Sequence, residues 1–445
     1  MAGKWPYKRV EEIALKIAMG PFGSSIKVET FTDSGIPIIS GQHLREAQMT
    51  DGEFNFIKEA HADSLKNANV QRGDVIFTHA GNIGQVAFIP DGSAYQRYVI
   101  SQRQFYLRCN TDLMLPEFIT YYFKTPEGQH RLLANANQVG VPSIARPSSY
   151  LKTIEVPVPS IEEQQVVVRN IKALDAKIRL NIGINQTIEA MAQAIFKSWF
   201  VDFHPVKAKI AAIVEGRDPL RAAMSAISGK PDAELDALPP EQYEHLAATA
   251  ALFPDEMEES ELGEIPKGWK VQRVGNVLEL VYGKALKSTN RQEGTVPVYG
   301  SGGITGFHNT PLVTHGSIIV GRKGTVGSLY WEDDPFFPID TTYYVRPLAA
   351  PLTFCYYTMQ ILGLEKMNTD AAVPGLNREN VYRLELVLPD SVTLQQFDIQ
   401  ATTLRKAIRA NSGENKSLAD LRDILLPKLL TGELSVTDAT AEAAV

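Results

Sequence analysis

The sequence predicts an α+β protein in which two similar mixed α/β domains are separated by two long coiled-coil helices. Three observations favour this fold. Apolar residues between Ser160 and Phe200 recur at alternating steps of four and three residues, which is the pattern of a coiled-coil seam. The same pattern returns 230 residues later, and the segments before the two helices share motifs in the same order. Such a repeat indicates that one structural unit occurs twice in the chain.

The first long helix is predicted over residues 160–201 and the second over residues 391–434. Ser160 and Glu163 fit a capping box at the start of the first helix. A helix of about 40 residues spans roughly 60 Å, which is too long for one small domain to bury, so we expect the two helices to pair. The predicted helix-pairing residues are Ile171, Leu174, Ile178, Asn181, Asn185, Ile188, Leu404, Ile408, Asn411, Asn415 and Leu418.

The asparagines in this seam have two interpretations. A buried polar pair can fix the register and the orientation of the helices at a cost in stability. Alternatively, the helices loosen at this point, which the neighbouring glycines Gly183 and Gly413 would assist.

Residues 1–159 are predicted to form the first domain, with short strands and few helices. Glycines near positions 81 and 84 favour a hairpin between two of its strands. The expected elements are a helix that the stretch Trp5–Ala14 leads into and that ends near Gly20, strands over 36–39, 75–77 and 86–89, a helix over 117–123, a loop over 138–147 and a strand over 154–158.

Residues 202–265 are predicted to be an acidic, partly helical linker, because prolines interrupt its alanine-rich pieces. His204–Pro205 is expected to mark the end of the first long helix. Residues 201–266 hold 5 Lys/Arg against 14 Asp/Glu, whereas the rest of the chain holds 39 against 37. The net charge of −7 therefore comes from one segment and does not exclude a nucleic-acid partner.

Residues 266–390 are predicted to form the second domain, and residues 435–445 a frayed tail. The glycine hairpin of residues 73–84 recurs over residues 316–327. The loop of residues 141–146 recurs over residues 373–378. We also expect Pro427 to kink the second long helix near its end.

No catalytic, metal or cofactor site is predicted. The P-loop pattern is absent, and the eight histidines show no metal-ligand spacing. Residues 334–337 and 300–306 superficially resemble a methyltransferase motif and a dinucleotide loop, but both favour turns. The cysteines Cys109 and Cys355 are typical of packing in a reducing compartment. Because no apolar run approaches about 18 residues, we expect a cytoplasmic protein without membrane contact.

The repeated glycine hairpin is the best candidate for recognition. Its glycines recur, whereas the polar residues between them differ between the copies, as two readers of different targets would require. Arg and Lys suit guanine edges, Asn and Gln suit adenine edges, and all four also contact phosphates. A solvated surface hairpin is the alternative. The DNA-binding candidates are Thr78, His79, Asn82, Gln102, Arg103, Gln104, Ser143 and Arg146 in the first copy, and Lys284, Lys287, Arg322, Lys323, Thr325, Tyr343, Asn377 and Arg378 in the second.

The arrangement resembles the specificity subunit of type I restriction–modification systems over nearly the whole chain. No single motif carries the resemblance, but their order, which occurs twice, is specific. The matching features are the two domains each followed by a long helix, the Gly-x-x-Gly hairpins, the Val-Pro loops with Arg146 and Arg378, the glutamine pairs at 164–165 and 395–396, and the stretches Glu189–Phe200 and Glu261–Trp269.

This resemblance implies a non-catalytic subunit whose two domains each read one half of a bipartite, asymmetric sequence in double-stranded DNA. It implies that the helices pair antiparallel, relate the domains by a pseudo-two-fold axis and set the unread gap. The implied partners are two modification subunits, which bind S-adenosylmethionine and methylate adenine, and a restriction subunit that uses ATP and Mg. Two other classes remain open: a coiled-coil scaffold that reads no DNA, and a stand-alone methyltransferase or nuclease.

Overall fold

The computed structural model describes residues 5–23, 25–137, 140–367 and 375–434. Clustering of contacts divides the chain into two compact units. The first unit comprises residues 1–181 and 414–445, and the second comprises residues 182–413. Each unit therefore contains one domain and one half of each long helix.

The first unit contains a domain of short strands and helices, followed by the first part of the long helix α6, which runs from Ile161 to Phe200. The strands are β1 Tyr7–Arg9, β2 Ala14–Met19, β3 Phe31–Thr32, β4 Ile36–Ile39, β5 Asn55–Ile57, β6 Asn69–Gln71, β7 Asp74–Thr78, β8 Val86–Phe88, β9 Arg97–Ile100, β10 Gln104–Cys109, β11 Ala136–Asn137, β12 Ser143–Ile144 and β13 Glu155–Pro157. The helices are α1 Val10–Ile13, α2 Glu59–Ser64, α3 Pro116–Lys124, α4 Pro126–Leu133 and α5 Pro147–Thr153.

The second unit contains the acidic segment, the second domain and most of α14, the second long helix. Its strands are β14 Met257–Ser260, β15 Gly263–Pro266, β16 Lys270–Arg273, β17 Leu278–Tyr282, β18 Val296–Gly300, β19 Gly303–His308, β20 Ser317–Gly321, β21 Leu329–Glu332, β22 Phe337–Pro338, β23 Thr342–Pro347 and β24 Glu385–Leu388. Its helices are α7 His204–Val214, α8 Pro219–Ser228, α9 Asp232–Leu235, α10 Pro240–Ala251, α11 Val274–Val277, α12 Leu352–Ile361, α13 Arg378–Tyr382 and α14 Ser391–Thr431.

The two domains share the same framework of strands. The first has a four-stranded sheet in the order β2-β10-β7-β8, and the second has the corresponding order β17-β23-β20-β21. A two-stranded sheet closes each domain, β1-β13 in the first and β16-β24 in the second. The additional sheets differ: β3-β5-β4-β9-β6 in the first domain and β19-β18-β22 in the second. The predicted α+β fold with an internal duplication is therefore confirmed.

Each domain shares a continuous hydrophobic core with its own halves of the long helices. In the first unit, Phe77 and Phe118 of the domain belong to one cluster with Ile171 of α6 and Leu429 of α14. In the second unit the corresponding cluster is rich in aromatic side chains and includes Phe196, Trp199, Trp269, Phe354 and Phe397. Because such interiors are close-packed, each domain is held rigidly to its own part of the helices.

The prediction of a helix ending near Gly20 is wrong. Helix α1 covers only Val10–Ile13, and the residues after it form strand β2. Strand β2 pairs antiparallel with β10, so that Ala18 lies opposite Tyr106. Hydrogen bonding within the sheet has overridden the modest helix propensity of the Ala, Leu, Lys and Met residues in this segment.

The acidic segment is more ordered than the predicted linker. Helices α8, α9 and α10 pack around a small cluster of Ala223, Met224, Leu235 and Ala250, whereas α7 contributes Val206 to the larger core of the second unit. The prolines do not break these helices because they lie in first turns, where the missing N–H group has no intrahelical partner. For the same reason His204–Pro205 begins α7 as well as following α6.

The long helices pair antiparallel within each unit through the predicted asparagines. In the first unit Asn181 donates to the side-chain oxygen of Asn415 at 3.0 Å and to Glu414 at 2.8 Å. In the second unit Asn411 donates to the side-chain oxygen of Asn185 at 2.8 Å. The predicted apolar pairing residues are all buried or half-buried. The bonded geometry favours the register-fixing interpretation of the asparagines, because their amides are paired across the helices.

An ion pair lies beyond the asparagines in each unit. In the first, Arg422 of α14 contacts Asp175 of α6 at 3.0 Å. In the second, Arg405 of α14 contacts Glu189 of α6 at 3.0 Å, and its guanidinium also lies 4.6 Å from the ring centre of Trp331. Arg405 occupies the position in the repeat that Asp175 occupies in the first copy, 230 residues earlier. The charge at this position is therefore inverted between the copies.

Parts of two sequence predictions lie outside the described residues. These are the predicted tail at 435–445 and parts of the two Val-Pro loops, at 138–139 and 373–374. Among the residues that are described, no helix combines the length and the apolar character needed to cross a membrane.

The ion pair between Glu189 and Arg405 is predicted to stabilise the second unit. Glu189→Gln should lower the free energy of unfolding by about 2 kcal/mol, because it leaves a largely buried guanidinium without its charged partner. The double variant with Arg405→Gln should cost less than the sum of the single variants. Urea unfolding measures these differences.

The matched control is the exposed pair of Arg409, on the same helix as Arg405, and Asp334, between strands β21 and β22; their side-chain exposures are 55% and 60%. Asp334→Asn should change stability by less than about 1 kcal/mol. Equal costs for the buried and the exposed pair would contradict the assignment.

Candidate nucleic-acid interface

The duplicated glycine hairpins have the same backbone hydrogen bonds. In the first, the N–H of Thr78 donates to Gln85 at 3.0 Å, and that of Gly84 donates to Thr78 at 3.3 Å. In the second, Gly321 donates to Ser328 at 2.8 Å, and Gly327 donates to Gly321 at 2.8 Å. The four glycines that give the hairpins their shape all have positive φ, between 74° and 86°: Gly81, Gly84, Gly324 and Gly327. These conformations are unfavourable for residues with a side chain.

Two neighbouring segments hold each hairpin in the same way. The segment before the central strand accepts a hydrogen bond from the hairpin: the N–H of His79 donates to Arg103, and that of Arg322 donates to Thr341, both at 2.9 Å. The Val-Pro loop donates to the hairpin from the other side, from Ile144 to His79 at 2.9 Å and from Leu376 to Arg322 at 2.8 Å. The backbones at His79 and Arg322 are therefore fixed identically while their side chains differ.

The first hairpin is surrounded by exposed polar side chains. Asn82, Gln102, Arg103 and Arg146 are exposed, and Ser143 is half-buried in the short sheet β11-β12. Neither Arg103 nor Arg146 has a carboxylate within 4.0 Å among the described residues. Arg146 also has a positive φ of 46°, at the residue that precedes helix α5.

The imidazole of His79 is held by a hydrogen bond to the backbone. Its Nε2 lies 3.2 Å from the carbonyl oxygen of Gln102, which can only accept, so this nitrogen donates. Burial lowers the pKa of His79 below its usual value, although hydrogen bonds to backbone carbonyls oppose this shift. The first domain therefore presents an imidazole where the second presents the guanidinium of Arg322.

The second hairpin places two arginines against one tyrosine. The guanidinium carbon of Arg322 lies 4.8 Å from the ring centre of Tyr282, and that of Arg378 lies 4.9 Å from the same point. Arg322 also donates from Nη1 to the carbonyl of Asp340 at 3.0 Å and lies 5.8 Å from the ring of Tyr343. These contacts restrict the long Arg322 side chain to one orientation.

The other candidates in the second domain surround this cluster or act in its support. Lys284, Lys287, Lys323 and Thr325 are exposed. The side chain of Asn377 caps helix α13 by accepting a hydrogen bond from the N–H of Glu379 at 2.8 Å. Asn377 is therefore engaged within the protein, whereas the lysines are free to meet phosphates.

Comparison with known proteins identifies the family. A family model described as the type I restriction modification DNA specificity domain matches residues 4–190 and 266–418. The chain is also 30% identical over 434 residues to the type I restriction enzyme HindI specificity subunit of Haemophilus influenzae, covering 86% of this chain and 90% of that protein. The chain belongs to the type I restriction–modification specificity family.

Two further proteins resemble this family member over almost its full length. The type I restriction enzyme MjaIX specificity subunit of Methanocaldococcus jannaschii is 22% identical over 465 residues, which cover 98% of this chain and 94% of that protein. A crystal structure of the type I restriction–modification S subunit from M. genitalium matches with a TM-score of 0.50, 18% identity and 96% coverage of each chain. The latter similarity supports the fold.

Three of the predicted DNA contacts in this specificity-family chain are buried instead. Thr78, Gln104 and Tyr343 have exposed fractions of 2%, 1% and 1%. Thr78 donates to Gln85, and the Tyr343 hydroxyl donates to the carbonyl of Leu376 at 2.9 Å. These residues lie on strands of the central sheet, where their side chains pack inside the domain and do not face solvent.

Tyr282 is the functional candidate that the sequence analysis missed. It ends strand β17 immediately before Gly283, just as Met19 ends β2 before Gly20. The two glycines are equivalent, since Gly20 donates to Gln104 at 2.9 Å and Gly283 donates to Thr342 at 3.1 Å. Alignment of these two glycines within the repeat was the signal that could have identified Tyr282.

We predict different costs for alanine at the two glycines of the second hairpin. Gly324→Ala should destabilise the protein by about 1–2 kcal/mol through its left-handed backbone alone, because its nearest neighbour is the movable Ser301 side chain at 3.1 Å. Gly327→Ala should cost clearly more, since its Cβ would lie 2.4 Å from the backbone nitrogen of Glu365. Urea unfolding checks the order, and a larger cost at Gly324 would contradict it.

We also predict that acid weakens the first hairpin selectively. Because burial lowers the pKa of His79 in the folded state, the unfolded state binds more protons as the pH falls through about 6.5, and stability is lost there. Hydrogen exchange between pH 7 and 5.5, corrected for intrinsic rates, should show falling protection over β7–β8 relative to β20–β21. In the His79→Gln variant this difference should shrink; an equal change at both hairpins would contradict the prediction.

Proposed function

We propose that this chain is the DNA-recognition subunit of a type I restriction–modification complex, and that each domain reads one half of a bipartite, asymmetric target. The observation that carries the proposal is the duplicated hairpin. Its backbone is held by equivalent hydrogen bonds in both domains, yet it presents His79 and Asn82 in one and Arg322 and Thr325 in the other. A constant frame with different polar groups suits two readers of different base edges.

The charges around the hairpins support DNA as the ligand. Exposed cations flank both: Arg103 and Arg146 in the first domain, and Lys284, Lys287 and Lys323 in the second. Such residues position a protein on a duplex through phosphate contacts, while groups at the centre read the bases. The excess acidic charge is confined to residues 201–266, a segment of the sequence that contains neither hairpin.

The long helices act as the spacer in this proposal. Each hairpin is part of a sheet whose core is continuous with its own halves of α6 and α14. A hairpin attached in this way cannot rotate independently of the helices that pack against its domain. We therefore assign the unread gap between the half-sites to the register of the helix pair, which the paired asparagines fix.

The chain itself is non-catalytic in this scheme. Two modification subunits would supply S-adenosylmethionine and adenine methylation, and a restriction subunit would use ATP and Mg to translocate and cleave DNA. The description of the relatives as specificity subunits of restriction enzymes supports this division of labour. A cytoplasmic location stays a prediction.

The proposal predicts that each hairpin controls only one half-site. Mapping of methylated adenines in cells that carry the chain and its modification partner should show a bipartite motif. His79→Ala should alter the preferred bases in one half and Arg322→Ala those in the other, because each side chain belongs to a separate domain. Each variant is thus the matched control for the other. A change in both halves from either variant, or the absence of any bipartite motif, would contradict the proposal.

A further inference from the structure

We propose that Arg322, oriented by Tyr282, reads a guanine in the half-site of the second domain, whereas Arg378 contacts a phosphate. The inference rests on the proposed function and deepens it by naming one base and separating two arginine roles. It is carried by the Arg322–Tyr282–Arg378 cluster and by the comparison of that cluster with its counterpart in the first domain.

The orientation of Arg322 is fixed on three sides. Its guanidinium lies 4.8 Å from the ring centre of Tyr282 and 5.8 Å from that of Tyr343. The two rings are themselves 5.0 Å apart. Nη1 donates to the carbonyl oxygen of Asp340 at 3.0 Å. A guanidinium has five N–H groups in a rigid plane, so several donors remain for a ligand while the plane itself is held.

The free donors of Arg322 have no acidic partner in the described residues. Its neighbour Arg378 has one, since Nε of Arg378 lies 3.4 Å from Glu379. The guanidinium groups of Arg322 and Arg378 therefore pack against the same ring, that of Tyr282, and the exposed carboxylate of Glu379 is their one acidic partner in the described residues. An acceptor-rich ligand would relieve this arrangement, and guanine O6 with N7 and the DNA phosphates are both such acceptors.

Comparison of the two domains indicates which arginine meets a base and which meets a phosphate. Arg378 has a counterpart in the first domain, Arg146, which also immediately follows the Val-Pro loop and begins a short helix. Arg322 and Tyr282 have none, because His79 and Met19 occupy their positions. Phosphates are the same in every half-site, so both copies can use the same residue for them. Bases differ between half-sites, so we assign base reading to Arg322 and Tyr282, the two residues without a counterpart in the first domain.

The chemistry of Arg322 and Tyr282 favours guanine for the second domain. Arginine offers only donors, and its bidentate contact with O6 and N7 of guanine is the commonest specific contact to a base. His79 in the first domain cannot reproduce this bidentate contact, because its Nε2–H is already directed at the carbonyl of Gln102. Tyr282 is a positioning residue in this scheme: its ring holds the guanidinium in the plane that a base edge requires.

The test uses the chain assembled with its modification subunits and a duplex carrying the mapped target. Replacing the relevant guanine by 7-deazaguanine, which lacks the N7 acceptor, should weaken binding of the wild type by about ten-fold or more. The Arg322→Ala complex should be insensitive to the same replacement, and its methylation motif should become degenerate at that position only. Persistent sensitivity in Arg322→Ala would overturn the assignment to Arg322.

Arg378 and Tyr282 provide the contrasting variants. Arg378→Ala should weaken all sequences equally and reduce the slope of log K against log salt by about 0.9, as expected for one lost phosphate contact. Tyr282→Met, which installs the residue of the first domain, should diminish the 7-deazaguanine effect, and Tyr282→Phe should restore it. Altered base preference in Arg378→Ala would overturn the division of roles.

The other half-site is an internal control for folding. Each variant should retain the base preferences of the first domain, since that domain has its own core. A bipartite motif with no guanine in the half altered by Arg322→Ala would refute this inference alone. The absence of sequence-selective binding by the wild-type complex would refute the proposed function as well.

Discussion

Continuous hydrophobic packing between each domain and its own halves of the two long helices is the constraint on which the rest of the structure depends. The domains are built from short strands, which have little independent stability. Ile171 and Leu429 complete the core of the first unit, and Phe196, Trp199 and Phe397 complete that of the second. The helices in turn need the domains, because the asparagines place polar groups in the seam, where they fix the register at a cost in stability. Neither component is complete without the other.

The two domains share one framework but present different side chains on it. The central sheet and the two segments that hold the hairpin have the same order and the same backbone bonds in both domains. The side chains that point away from this framework differ, as His79 differs from Arg322. Because backbone hydrogen bonds do not depend on side-chain identity, the recognition surface can change while the frame and its core stay intact.

The sequence repeat predicted much of this architecture, and the failures have identifiable causes. The strands of the glycine hairpin follow from alternating apolar residues and glycines. The segment after Ile13 was misassigned because Ala, Leu, Lys and Met favour helices locally, whereas β10 provides a partner that no local pattern reveals. The acidic segment was underestimated because its prolines were interpreted as breaks, although they lie at helix starts, where proline is well tolerated.

The sequence by itself determined the duplicated fold, the two long helices with their asparagines, and the two glycine hairpins, because periodicity and repeated motifs are local properties of the chain. Only the tertiary structure decided which polar residues face outward. It buried Thr78, Gln104 and Tyr343 within the sheet and brought Tyr282 between arginines that are 56 residues apart in the sequence. Burial and long-range contacts arise from strand pairing across the domain, which spacing along the chain does not encode.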